Sequence, residues 1–153
     1  MGLSPQSGLP QNNRVGDLDS MAMLHMMRRD GLSIDDVENA LCNEGGLKGL
    51  SGGHNDIRDI VSEAGSGNAR AKLALDVYVH SARHWLGAYL AQLNGLDALV
   101  FTAGIGENRA GSRAAQHVVF RRCAAAVSEI VDPRWKRMQH AHIHIATGAI
   151  DNL

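Results

Sequence analysis

The segment from Asn68 to Leu93 carries the longest helical pattern of the chain and constrains its fold most strongly. Side chains recur along it every four residues, most of them apolar: Leu73, Val77, Ser81, Trp85, Tyr89 and Leu93. Ala74, Leu86 and Leu90 widen this stripe. Such spacing is typical of one face of an amphipathic α-helix. At roughly 1.5 Å per residue this helix would be about 39 Å long. We therefore predict a helix that crosses a whole domain and ends at Asn94-Gly95.

A short apolar segment follows the long helix. Leu96 to Thr102 is rich in β-branched and aromatic residues and is flanked by glycines, which predicts a buried strand. The turn Ala103 to Asn108 comes next, and Arg109 to Val127 has the composition of a further helix. A helix, a strand, a glycine turn and a helix in this order indicate an α/β fold, with several helices packed on a short sheet.

Shorter elements precede the long helix. Residues 1–20 contain Gly, Pro and paired Asn, which predicts an ordered loop. Met21 to Arg29 is a helix candidate that ends at Asp30-Gly31. A second helix starts at Ser33, with Asp36 three residues later as an acidic capping box. Asp56 to Ala64 is predicted to be another short helix.

Five glycines fall within the nine residues from Gly45 to Gly53. This composition is typical of a flexible linker between two independent units. It is also typical of a tight loop in which the backbone approaches a ligand. Composition alone slightly favours the linker.

The overall composition narrows the class of protein. Apolar residues make up 44% of the 153 residues, as in globular domains. The formal net charge is −1, so no basic excess favours nucleic-acid binding. The longest apolar runs are far shorter than the roughly 20 residues of a bilayer span, and the start of the chain lacks a signal-peptide pattern. We expect a cytoplasmic protein with Cys42 and Cys123 as reduced thiols.

Two glycine-containing segments are candidate phosphate sites. Gly104 and Gly106 lie between a predicted strand and a helix, where free backbone amides favour an anion. Without further context a plain tight turn is favoured, because Arg109 stands where the third glycine of the dinucleotide fingerprint belongs. Arg14 lies in a second such segment beside Asp17. It could hold a phosphate, although a surface ion pair with its neighbours is favoured without further context.

Two further polar groups have structural alternatives. Asn55 or Asp56 follows glycines at a predicted helix start, where an N-cap is favoured over a binding site. His140, His142 and His144 alternate with apolar residues, so a strand would place all three on one side, as zinc ligands require. An incidental polar edge or a disordered tail is the favoured interpretation.

Four motifs, in order along the chain, resemble the acetate kinase family, which includes propionate kinases. MGLSPQSGLP resembles the family's MGFTPLEGL, and NNRVGDLDS resembles GTRSGDIDP. LSGGHNDIRDI is similar to LSGVSSDMRDL, and FTAGIGEN to FTGGIGEN. The resemblance places the glycine-rich segment in a loop of one domain. It covers residues 1–132 as part of a C-terminal nucleotide-binding domain, and residues 133–153 form an unmatched tail.

This resemblance implies a partial RNase H-like domain of the actin-like ATPase superfamily. It implies transfer of the γ-phosphoryl group of ATP to acetate or propionate, giving an acyl phosphate and ADP with Mg²⁺. The implied partners are these small molecules, together with a homodimer partner or a separate N-terminal half.

The resemblance also implies individual roles. Arg14 matches the family's catalytic arginine, which stabilises charge on the phosphoryl group in transfer. The other matched positions belong to the nucleotide site: Asp56, Ile57, Arg58, Gly104, Ile105, Gly106, Glu107 and Asn108. Asn12, Asn13 and Val15 replace the family's Gly, Thr and Ser around Arg14, and Ala103 replaces the first glycine of the nucleotide loop.

The sequence has no counterpart of the family's N-terminal domain, nor of its Mg²⁺-linked Glu in an Asn-Glu-Glu setting. A cleft enzyme without one wall neither excludes water nor aligns in-line transfer. We therefore expect little or no turnover from these 153 residues alone. A nucleotide-binding module without catalysis, and one half of a split kinase, are the alternatives.

Overall fold

The computed structural model describes residues 6–93 and Arg122. Their five helices are α1 (Ser20–Asp30), α2 (Ile34–Cys42), α3 (Gly46–Ser51), α4 (Ile57–Gly65) and α5 (Ala69–Leu93). No strand occurs within these described residues. The predicted strand Leu96 to Thr102, the glycine turn after it and the histidines of the tail lie outside them, so the predicted sheet stays a prediction. None of the described helices is long and apolar enough to cross a membrane.

The predicted starts of the first two helices are confirmed. Asp19 caps α1, because its Oδ1 accepts the N–H of Met21 at 2.9 Å. Ser33 Oγ accepts the N–H of Asp36 at 3.2 Å, and Asp36 Oδ2 accepts the N–H of Ser33 at 2.9 Å. This reciprocal pair is a capping box, which satisfies backbone amides that the helix itself leaves free.

The chain divides into two compact units, residues 1–81 and residues 82–153. In the first unit, Leu47 and Ile60 have no exposed surface. The other buried apolar residues come from α2, α4 and α5: Val37, Ile57, Ala71, Ala74, Leu75 and Val79. Burial of this set from four helices is the main stabilising contribution of the first unit.

The linker interpretation of the glycine-rich segment is wrong, and the loop that the resemblance predicts there is helical at residues 46–51. Residues 45–53 lie within the first unit and contain the six-residue helix α3, which buries Leu47 completely. Glycine has a low intrinsic helix propensity, so composition predicted no helix here. Tertiary burial of Leu47 and the backbone bonds described below outweigh that propensity.

The predicted apolar face of the long helix is confirmed at Ala74 and wrong at Leu73, Tyr89 and Leu93, which are exposed. Leu73 is 51% exposed, whereas Ala71, Ala74, Leu75 and Val79 are buried. A four-residue step turns about 400° around an α-helix, so each step drifts by about 40° from the previous one. The series from Leu73 to Leu93 therefore winds around the helix instead of following one face. The buried set has the correct average spacing.

In the second unit, the described part of α5 carries an aromatic pair. Trp85 and Tyr89 lie one turn apart, with their ring centroids separated by 6.0 Å. His84 packs edge-on against Trp85 at 5.9 Å. Such neighbouring rings attract each other at these separations.

Candidate functional site

The loop that carries Arg14 is closed by a pair of hydrogen bonds between its two ends. Gly8 N–H donates to Asp17 Oδ1 at 2.7 Å, and Asp17 N–H donates to the Gly8 carbonyl oxygen at 2.9 Å. Gly16 has φ +81, and a Cβ there would lie 2.7 Å from the Pro10 nitrogen. Only glycine fits such a backbone without strain. We call this arrangement of Gly8, Gly16 and Asp17 the loop clasp.

A second set of backbone bonds ties the same loop to the helices. Val15 N–H donates to the carbonyl of Leu41 in α2 at 3.0 Å. Two amides at the start of α3 donate to carbonyls of the loop. Leu47 N–H donates to the Gln11 carbonyl and Lys48 N–H donates to the Asn12 carbonyl, both at 2.8 Å. The loop therefore caps α3, and these two amides are not available to a ligand.

Gly46 lies at the closest approach between the loop and α3. It is buried and has φ +57. A Cβ at this position would collide with the carbonyl oxygens of Gln11 and Arg14. The glycine-rich composition of the segment thus has a steric reason, because the Arg14 loop packs directly on the α3 backbone.

The side chain of Arg14 does not form the surface ion pair that its sequence neighbours favoured. Asp17 belongs to the loop clasp, and Asp19 caps α1. Arg14 Nη1 lies 3.4 Å from Gln11 Oε1, a long bond to a neutral amide. No carboxylate among residues 6–93 forms a salt bridge with it. A half-buried guanidinium on a fixed backbone is thereby left with charge to offer an anion.

Asp56 is the N-cap of α4, as one of the two interpretations of its position predicted. Its Oδ1 accepts the N–H of Arg58 at 2.8 Å, and both carboxylate oxygens accept from the Arg58 guanidinium. The bonds from the Arg58 side chain, and then that from its backbone, lower the pKa of Asp56 to about 2. The Asp56 carboxylate is therefore ionised at neutral pH and fully engaged within the chain.

The two neighbours of Asp56 in the predicted nucleotide segment differ sharply in exposure. Ile57 is 7% exposed and belongs to the core. The side chain of Arg58 is 62% exposed, and the Asp56 carboxylate raises its pKa. Of the three side chains predicted from the resemblance, only Arg58 has both the charge and the accessibility to contact a ligand.

Helix α3 connects the two described parts of the candidate site. The Arg14 loop is bound to its first turn, and Ser51 in its last turn accepts the N–H of His54 at 3.0 Å, just before Asp56. A six-residue helix is about 9 Å long. The Arg14 loop and the turn that leads to Asp56 are thus held at opposite ends of one short helix.

Arg70 supports this arrangement, although no sequence motif singles it out. Its Nη2 donates to the Gly49 carbonyl at 2.7 Å and its Nε to the Leu50 carbonyl at 3.3 Å. It therefore satisfies carbonyls at the end of α3 from 21 residues away in the chain. No local spacing rule predicts a cap that comes from another helix.

The remaining predicted site residues, Gly104, Ile105, Gly106, Glu107 and Asn108, lie outside the described residues. Among residues 6–93 and Arg122, no three His, Cys, Asp or Glu side chains cluster so that they could hold a metal ion.

Comparison with solved structures first defines the class of fold. The crystal structure of a propionate kinase from Francisella tularensis superposes with a TM-score of 0.75 and 32% identity, over 85% of this chain and 32% of that one. The Porphyromonas gingivalis acetate kinase gives a TM-score of 0.72 and 32% identity, over 80% of this chain and 29% of that one. The chain has part of the fold of these acetate and propionate kinases.

Sequence comparison then identifies the family. The model of the acetokinase family matches residues 1–130, and the chain belongs to this family. The acetate kinase of Leifsonia xyli subsp. xyli is 50% identical over 115 residues, which are 75% of this chain and 29% of that protein. An acetate kinase of Clostridium botulinum is 50% identical over 113 residues, covering 74% of this chain and 28% of that protein. The chain thus spans less than one third of these relatives.

Proposed function

We propose that this chain provides part of the nucleotide- and phosphoryl-binding side of an acetate kinase-type phosphotransferase. The reaction is transfer of the γ-phosphoryl group of ATP to a carboxylate, which gives an acyl phosphate and ADP. One observation carries the proposal: in a member of the acetokinase family, the half-buried Arg14 is held on a doubly tied loop without a carboxylate partner among the described residues.

The proposed role of Arg14 is electrostatic. Phosphoryl transfer spreads negative charge over the equatorial oxygens, and enzymes accelerate it mainly by positioning and charge stabilisation. A guanidinium on a rigid backbone requires little rearrangement as that charge develops. The capped α3 and the loop clasp supply this rigidity.

The proposed nucleotide segment comprises Asp56, Ile57 and Arg58 together with residues 104–108. Burial of Ile57 and the hydrogen bonds of Asp56 to Arg58 support different roles for these three residues. Arg58 contacts the nucleotide through its exposed guanidinium, Asp56 orients Arg58, and Ile57 anchors the start of α4 in the core. The glycines at 104 and 106 would then bring backbone amides close to a phosphate.

Three further features inferred from the sequence belong to the same proposal. They are the short sheet of an RNase H-like domain, a cytoplasmic location, and assembly as a homodimer or with a separate N-terminal half. Mg²⁺ would accompany the nucleotide and neutralise phosphate charge.

A complementation assay tests the function. The 153-residue chain is incubated with Mg·ATP and acetate, alone and with the separately purified N-terminal domain of an acetate kinase, and acetyl phosphate is measured. We expect little or no product from the chain alone, and turnover in the mixture that Arg14→Ala lowers by roughly 10³-fold. A mixture that binds Mg·ADP without forming acetyl phosphate would instead indicate a nucleotide-binding module without catalysis.

A further inference from the structure

The loop clasp has a geometry that bears on Arg14. Asp17 is three residues from Arg14, and it accepts from and donates to Gly8 at 2.7 and 2.9 Å. Gly16, which lies between Arg14 and Asp17, has no space for a side chain, because a Cβ would lie 2.8 Å from the Gly8 carbonyl oxygen. The backbone on the C-terminal side of Arg14 is therefore fixed at Gly8.

The backbone on the other side of Arg14 is fixed by different bonds. Gln11 N–H donates to the Arg14 carbonyl at 2.9 Å, and Gly45 N–H donates to the Asn13 carbonyl at 3.1 Å. All of these are backbone groups, so they do not depend on the identity of a side chain. Asp17 is the one described residue whose side chain closes the ends of the Arg14 loop.

We propose that Asp17 is a positioning residue for Arg14. Its carboxylate oxygen accepts the Gly8 N–H and so sets where the Arg14 backbone, and with it the guanidinium, is presented to a phosphoryl group. The inference rests on the proposed function of Arg14. Asp17 acts here as a hydrogen-bond acceptor and not through its negative charge, because the oxygen that closes the loop clasp accepts from the neutral backbone N–H of Gly8.

This distinction sets the choice of variants. Asp17→Ala removes the acceptor, whereas Asp17→Asn keeps a carbonyl oxygen and removes the charge. Asp19→Ala is the matched control, because Asp19 is an exposed aspartate of the same segment whose carboxylate caps α1 at Met21. Each is made in the full 153-residue chain.

The first measurement is NMR of the Arg14 Nε–H signal, with hydrogen exchange of the backbone amides. We expect Asp17→Ala to shift and broaden the Arg14 signal and to speed exchange of the Gly8 amide by roughly tenfold, the value of one net hydrogen bond. The amides of α4 and α5 should keep their rates, which excludes general unfolding. Asp17→Asn and Asp19→Ala should leave the Arg14 signal as in the wild-type chain.

The second measurement is a titration with pyrophosphate as a phosphoryl-group probe. We expect Arg14→Ala to abolish the part of the pyrophosphate affinity that depends on Arg14. Asp17→Ala should weaken pyrophosphate binding by roughly threefold to tenfold, and Asp17→Asn should retain it. An unchanged Arg14 signal in Asp17→Ala, or equal losses in Asp17→Ala and Asp17→Asn, would overturn the positioning role. If Arg14→Ala binds pyrophosphate as the wild type does, the proposed function of Arg14 fails, while a changed Arg14 signal still supports the clasp.

Discussion

Gly46 shows how much of the candidate site depends on a missing side chain. Its φ of +57 is close to the +67 of Gly31, which ends α1. The two glycines differ in their surroundings, because a Cβ on Gly31 meets nothing within 4 Å and one on Gly46 collides with two backbone carbonyls. Alanine substitutions at these two glycines therefore separate the free-energy cost of a left-handed backbone from the free-energy cost of steric overlap.

We expect Gly31→Ala to lower the free energy of unfolding by about 1 kcal/mol, the cost of a left-handed conformation for an L-residue. Gly46→Ala should cost about 3 kcal/mol or more, since the loop must also move away from α3. Urea unfolding of both variants measures the difference. Equal losses would show that the Arg14 loop does not pack on the α3 backbone.

Asp56 gives a pH-dependent prediction. Its pKa in the folded chain is about 2, below the usual 3.8. The bonds to Arg58 therefore stabilise the fold above about pH 4, and this contribution is lost as the pH falls toward 2. Because Asp56 is partly solvent-exposed, screening reduces the contribution to about 1 kcal/mol.

The difference in unfolding free energy between the wild type and Asp56→Asn, which retains an N-cap acceptor, measures this contribution between pH 5 and pH 2. It should shrink as the pH falls. In Arg58→Gln, the carboxyl ¹³C titration of Asp56 should move toward its usual pKa, since Arg58 is the largest cause of the shift. A titration that does not move would contradict the ion pair.

At the scale of elements, α3 is held by burial and by contacts distant in sequence. Leu47 and Ile60 have no exposed surface, whereas Ile34 is 71% exposed. We expect Leu47→Ala and Ile60→Ala each to lower the free energy of unfolding by about 2–5 kcal/mol. Ile34→Ala, which removes an exposed side chain of similar size, should change it by less than about 0.5 kcal/mol. A similar loss in all three would contradict the assignment of the core.

Whether an element could be predicted depends on how far apart in the sequence its interacting residues lie. The capping box of Ser33 and Asp36 was predictable because both partners lie within one turn. The existence of α3 was not, because it depends on the carbonyls of Gln11 and Asn12 and on Arg70, which contacts carbonyls 20 and 21 residues away in the chain. The face of α5 was misassigned because a four-residue period drifts around a 3.6-residue helix.

At the scale of the whole molecule, the family was predictable from motifs, whereas the state of the site residues was not. The residues around Arg14 and Asp56 were recognisable in order along the chain. Their sequence did not reveal that Asp56 is engaged by Arg58, that Ile57 is a core residue, or that Asp17 closes a loop with Gly8. Those facts depend on backbone geometry, which short motifs do not encode.

The central proposal is that this chain provides part of the nucleotide- and phosphoryl-binding side of a phosphotransferase, with Gly106 in its nucleotide segment. A calorimetric titration of the purified chain with Mg·ADP, repeated on Gly106→Val, tests it most directly. We expect saturable binding by the wild-type chain and loss of that binding in the variant, because a side chain would prevent close approach of phosphate to the backbone. Absence of binding by a chain that unfolds cooperatively, or equal binding by Gly106→Val, would contradict it.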